Sequence, residues 1–213
     1  VLIVCIFVRE DNAHVKQKSK LSFDFIKNKK AMRVFMTAFF FYIAYGLITP
    51  FWIPYYVTAN HFTSSEISLA LTSFTVIGLI LSLFVGIWCD KWNKQYIFFI
   101  ACIIYIAGFI IGWNVSNLYT LWIFAILFGI GFVIMQVVFY ALIPEVAPKE
   151  KIGEYMGINN IFLCVPQIIG SILGGYLLQV GYGELLFPIS IAALIIACVI
   201  IGYGKLEENK KLA

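Results

Sequence analysis

Charge is scarce in this sequence. Asp, Glu, Lys and Arg make up 12% of its 213 residues, about half the share of a water-soluble domain. The two histidines, His14 and His61, lie far apart, and no long apolar stretch holds a pair of carboxylates. General acid–base chemistry and metal binding need such groups brought together. No glycine-rich phosphate cradle follows a strand-like run. The sequence therefore reads as a non-enzyme: catalytic residues none, metal ligands none, cofactors none. Five cysteines (Cys5, Cys89, Cys102, Cys164, Cys198) stand singly, and none forms a Cys-x-x-Cys pair. That excludes a zinc site and a disulfide framework, leaving small thiols that pack like apolar groups.

What fills the chain is apolar. Hydrophobic residues make up 62% of it, and its mean hydropathy is +0.94. A bilayer core about 30 Å thick needs roughly 20 uncharged residues per crossing. Inside it the backbone must satisfy its own hydrogen bonds, as a helix or a closed barrel. The apolar runs here are continuous rather than alternating, which selects helices. Six such segments fall at 34–57, 67–89, 96–115, 118–143, 154–179 and 185–203. Before them lie a short apolar stub, 1–8, and a polar linker, 9–33; after them comes a charged tail, 205–213. The stub is too short to span and has no signal-peptide features. It reads as the tail of a truncated preceding helix, which makes the chain a fragment.

The bases set an orientation. All fifteen Lys and Arg lie in the linker, the 90–95 turn, the 144–153 loop or the tail, and the alternate loops hold none. Positive residues stay on the cytoplasmic side, so linker and C-terminus are expected inside. The expected location is an integral, multi-pass protein of the plasma membrane. The net charge of +4 then calls for no nucleic-acid partner; the partner is the lipid bilayer.

Polarity is also uneven among the six segments. The third and sixth are almost wholly apolar and are expected to face lipid on most sides. In the second, Ser68, Thr72, Thr75, Gly78, Ser82 and Gly86 share one helical face. In the fifth, Gly153, Gly157, Asn160, Cys164, Gln167, Ser171 and Gly174 do the same. The likeness suggests two three-helix repeats with segments two and five as counterparts.

The turn between segments two and three carries Gly86, then Asp90 and Lys91, then Lys94. It resembles the loop between the second and third helices of each half of a major facilitator superfamily transporter, with the pattern Gly-x-x-x-Asp-(Arg/Lys)-x-Gly-(Arg/Lys)-(Arg/Lys). Asn93 replaces the second Gly, tolerable because Asn accepts left-handed backbone, and Gln95 stands where a base is often found. The second cytoplasmic loop, with Pro144, Glu145, Pro148, Lys151, Gly153 and Gly157, resembles the loop between the family's tenth and eleventh helices. The resemblance implies an all-α membrane protein: a six-transmembrane-helix bundle forming half of a twelve-helix fold, helices seven to twelve, paired with a missing N-terminal half. It also implies secondary active transport of a small-molecule substrate by alternating access, coupled to H+ or Na+. The loop after segment four is similar to that of sugar-cation symporters, so a sugar or glycoside is the first expectation. Drug or amphipath efflux is the alternative, since efflux members carry comparable loops. A non-transporting membrane sensor or interaction protein is the reading from another class.

For the substrate pathway, Tyr42, Tyr45, Thr49, Trp52 and Tyr56 of the first segment fall within an ~80° arc of a continuous helix. Tyr42 and Tyr45 are assigned to the cavity; Trp52, Tyr55 and Tyr56 suit the interfacial aromatic belt. Pro50 and Pro54 would loosen this helix. Gln136 and Tyr140 lie one turn apart in segment four, and Gln136 should find a partner within the bundle. Asn160 and Gln167 complete the set. No ionisable residue lies mid-span, so a coupling group would belong to the missing half. Asp90, Lys91, Lys94, Glu145 and Lys151, with Gly86 and Gly153, form the expected cytoplasmic gate; Asp90 is expected to accept from a helix N-terminus of the other half.

Overall fold

The computed structural model describes residues 23–59 and 61–203. The stub, the linker as far as residue 22 with His14, and the tail lie outside the described residues. Those described form six helical spans long and apolar enough to cross a membrane, with no strand among them. The helices are α1 (Lys29–Ile48), α2 (Trp52–Ala59), α3 (Ser64–Lys91), α4 (Lys94–Trp113), α5 (Leu118–Val146), α6 (Ile152–Gln179) and α7 (Leu186–Gly202). Together α1 and α2 make the first span.

Local chemistry sets the boundaries. Thr63 caps α3 in a reciprocal box with Glu66, and Asn117 caps α5 with Thr120 in the same way. Each box satisfies backbone N–H groups that the helix start leaves unpaired. Asn93 caps α4 by accepting from the Gln95 N–H at 2.8 Å. Its φ of −64° and ψ of 120° are extended, so the left-handed backbone expected there is not what the turn uses. Asn93 is favoured for its side-chain oxygen.

The first span is not one helix. Pro50 has no N–H to give the carbonyl four residues back, that of Gly46, and the helix breaks between Ile48 and Trp52. The freed Gly46 carbonyl lies 3.3 Å from the Ser171 hydroxyl of α6, which shares its one proton with the Gln167 carbonyl at 2.9 Å. Thr49, at the break, donates to the Tyr45 carbonyl at 2.8 Å. The single arc from Tyr42 to Tyr56 assumed an unbroken helix and does not exist. Trp52 and Tyr56 are buried in the bundle, packed on Phe124, and the Tyr56 hydroxyl donates to the Gly112 carbonyl at 2.5 Å. Tyr55 is half-buried, edge-on to Phe187.

Packing follows a regular scheme. α6 lies along α1, and α3 lies along α5; α5 packs on α4, and α7 packs on α1. Exchanging spans one to three with spans four to six maps this scheme onto itself. Successive spans alternate in direction, so the second repeat runs opposite to the first. The expected pair of three-helix repeats is present, interlaced rather than side by side.

Spans two and five are the outlying ones, with 17% and 22% of their most apolar stretch buried, against 44% and 39% for spans three and six. With Ile100, Ile103 and Ile110 of α4 and Ile195, Ile196 and Val199 of α7 forming exposed apolar faces, spans three and six still leave more than half of that stretch unburied. Their small and aromatic residues, Gly108, Gly112, Tyr105 and Phe109 in α4 and Ser190 and Ala197 in α7, fill the bundle interior. At the α1–α6 seam the backbones nearly touch. A side chain on Gly46 would strike the Gln167 backbone, and one on Gly170 would lie 2.5 Å from the Ile43 carbonyl oxygen. Small residues permit such approach in a bilayer, where packing rather than the hydrophobic effect holds helices together.

Candidate functional site

The polar residues singled out in the sequence divide between two places: one flank of the bundle, and the end that carries the bases.

On the flank, α5 and α6 are bridged by side chains. The Tyr140 hydroxyl donates to Asn160 Oδ1 at 3.1 Å, and both residues are exposed. Gln136, one turn from Tyr140, is exposed as well. Among the described residues it has no hydrogen-bond partner, and its face of α5 opens into a shallow cavity of about 630 Å³ with Gly78, Ser82 and Tyr140. A second cavity, about 520 Å³, runs along α6 past Cys164, Gln167 and Ser171. The glycine-polar stripe of α6 divides likewise. Gly153 and Gly157 have nothing near them, whereas Gly174 is packed on α1 and the Phe51 ring.

Behind this flank stands an aromatic wall. Tyr45 stacks on Phe132, centroids 4.6 Å apart and planes at 15°, and parallel to Phe128 at 6.1 Å. Tyr42 is buried, edge-on to Tyr45 and tilted on Phe139. Tyr42 and Tyr45 are thus brought together as one pair and Tyr140 and Asn160 as another; Thr49 is spent within its own helix, and Gln136 and Gln167 line separate cavities. Pro144 and Pro166 leave the carbonyls of Tyr140 and Phe162 without their usual helical donors. The two helices that meet at the Tyr140–Asn160 bridge are thereby loosened beside it.

Sequence reasoning missed two buried polar groups. Asn159 is fully buried, and neither amide atom has a hydrogen-bond partner among the described residues; the same holds for the Tyr105 hydroxyl. Asn159 sits on the buried face with Tyr155, Leu163, Pro166, Gly170 and Gly174. That face runs one residue ahead of the stripe noted in the sequence, so it takes Asn159 inward and leaves Asn160 outward. The spacing of the glycines that must touch α1 was the signal available.

At the base-bearing end, Lys94 pairs with Glu145 and joins the two charged loops. Asn28 caps α1 and donates to the Val146 carbonyl at 2.8 Å, and Gln95 donates to the Ile201 carbonyl at 3.3 Å. Gln95 thus ties α4 to the end of α7. Asp90 and Lys91, at the last turn of α3, are exposed; Gly86 has nothing within reach of a side chain. Lys151 precedes α6, half-buried, and does engage neighbours.

The chain matches the model of the Major Facilitator Superfamily over residues 34–212. It is 31% identical over 182 residues to an uncharacterized MFS-type transporter of Methanocaldococcus jannaschii, covering 84% of this chain and 46% of that protein. It is 24% identical over 197 residues to the quinolone resistance protein NorA of Staphylococcus aureus, covering 85% of this chain and 50% of NorA. It spans about half the length of these relatives. Among solved structures it is similar to a bacterial homolog of the human lysosomal transporter Spinster in an inward-facing, unoccupied conformation. That likeness has a TM-score of 0.64 at 14% identity, covering 86% of this chain and 44% of that one.

Proposed function

Because the chain belongs to the Major Facilitator Superfamily, we propose that it is the C-terminal, six-span half of a transporter. On this reading it moves a small uncharged or amphipathic solute by alternating access against an N-terminal half. The observation that carries this is the exposed neutral-polar flank built around the Tyr140–Asn160 bridge. Amide and hydroxyl groups at membrane depth need protein or water beside them rather than lipid. A second half facing this flank would supply both, as the wall of a central path. The chain's length relative to its relatives supports the same arrangement.

For the substrate, the stacked rings of Tyr45, Phe132 and Phe128, with hydroxyl and amide tips nearby, suit two classes. A sugar or glycoside would stack one face and hydrogen-bond its edge. A flat amphipath would use the same rings, and the likeness to a protein named for quinolone resistance favours it. The six spans carry no ionisable residue at mid-depth, so an H+ or Na+ site would lie in the other half. The clustered bases support a cytoplasmic location for the Lys94–Glu145 end. Asp90 there serves as a gate acceptor for that half.

The test is flux in proteoliposomes containing the full protein, with a fluorescent flat amphipath and a radiolabelled disaccharide as probes. Saturable uptake of one, lost on collapsing the proton and sodium gradients together, is the expected result. Binding without flux would overturn transport in favour of a sensor.

A further inference from the structure

We propose that Tyr105 is the buried positioning residue of a hydrogen-bonding subsite, acting through Tyr42 and Tyr45 on an uncharged acceptor oxygen of a flat solute. This rests on the reading of the chain as a transporter and names what its site recognises.

The geometry begins with a hydroxyl that has nothing to do. Tyr105 of α4 is fully buried, and its O–H has no hydrogen-bond partner among the described residues. Such a group destabilises the fold, because its hydration is lost and not replaced. Phenylalanine would fill the same volume without that penalty. The Tyr105 ring nevertheless shares Phe41 with Tyr42 and Phe128 with Tyr45, and Tyr42 meets Tyr45 edge-on. Tyrosines from two spans therefore gather around the same rings behind the exposed flank.

The Tyr105 ring is fixed. It is packed on Phe109, Phe128 and Phe41 with centroids 4.9, 5.1 and 5.4 Å away. Opposite it, Gly131 makes room; any side chain there would run into the ring. Tyr45, by contrast, is half-buried, stacked on Phe132 and parallel to Phe128, so it can shift only along those rings. When a solute slides along that wall, Tyr45 or Tyr42 can turn its oxygen to accept from Tyr105. It then keeps its own O–H to donate outward. A hydroxyl that accepts one hydrogen bond donates a stronger second one. No cation stands among these rings, so the subsite suits a ring carbonyl or an ether oxygen better than a carboxylate. The flat aromatic wall sets the solute's shape, and the phenols set the position of its acceptor.

Tyr105→Phe in the full protein tests this with two neutral probes, N-methyl-4-quinolone, which carries a ring carbonyl, and quinoline, which lacks it. Both Kd and flux are measured. The variant should weaken binding and raise KM for the quinolone about 5- to 10-fold, the loss of one hydrogen bond. Its kcat should stay within about twofold, and quinoline should be unaffected. Tyr45→Phe alone should cost at least as much, and adding Tyr105→Phe to it little more, because Tyr105 acts through that hydroxyl. The thermal midpoint should not fall, since the change removes an unpaired hydroxyl. An unchanged quinolone Kd, or equal losses for both probes, would overturn the subsite, as would failure of the unmodified protein to bind the quinolone. Binding without flux would overturn the transporter reading alone, with the Kd of the variant still deciding the role of Tyr105.

Discussion

The α1–α6 seam offers a sharp test of how this bundle is held together. Gly170→Ala would place a Cβ 2.5 Å from the Ile43 carbonyl oxygen, 3.0 Å from the Leu47 nitrogen and 3.1 Å from the Gly46 carbonyl carbon. All three are backbone atoms, so no rotamer change can relieve the overlap. Non-bonded contacts settle near 3.5 Å, and the helices must part by roughly 1 Å. Overpacking of that order costs about 1–3 kcal/mol. The Ser171 hydrogen bond to the Gly46 carbonyl, already 3.3 Å, would be lost with it, for about 0.5–1.5 kcal/mol. Alanine also favours the helix over glycine by up to about 1 kcal/mol, and that gain must be removed from the comparison. Gly157→Ala does so, since it lies in the same helix with nothing near a new Cβ. Gly157→Ala should be neutral or slightly stabilising, and Gly170→Ala should fall about 1.5–4.5 kcal/mol below it. Thermal unfolding in detergent would show the gap as roughly 2–4 °C per kcal/mol. If the two variants melt within a degree of each other, the backbones are not in contact and the seam argument fails.

Two further expectations follow from the described geometry. Asn159→Leu replaces a buried, unpaired amide by an apolar group of similar volume and should leave stability equal or raise it by about 1–3 kcal/mol; a clear loss in chemical denaturation would show that the amide has a partner. Asp90→Asn should slow transport without reducing membrane insertion, because the residue is exposed at the end of α3; normal flux in vesicles with normal protein content would remove it from the gate.

The parts legible in the sequence were those set by length and composition. Six spans follow from apolar runs long enough for a bilayer, and their pairing into repeats follows from the matched stripes of α3 and α6. What escaped depends on which neighbour a face meets. The Trp52 and Tyr56 rings have the amphipathic character of an interfacial belt, and nothing in their spacing reveals that they also pack on Phe124. Tyr105 sits in an almost uniformly apolar helix, where periodicity gives no face and cannot separate lipid from core. Asn159 and Asn160 are chemically identical neighbours about 100° apart on the helix. Only the glycines touching α1 decide which points inward. Asn93 was recognised as tolerable but for the wrong property, since capping uses its side-chain oxygen and asks nothing unusual of its backbone.

The interlacing of the repeats has a consequence for biogenesis. The Gly46 carbonyl freed by Pro50 meets its nearest donor, the Ser171 hydroxyl, 125 positions later in the chain. At about 5–20 residues per second the ribosome needs roughly 6–25 s to deliver it. For that interval the first span has its break but not its partner helix, and likewise the second span must wait for the fourth. Neither repeat can mature before the other is made. Nascent chains halted before the fifth span should therefore be preferred targets of membrane quality control, however well their individual helices insert.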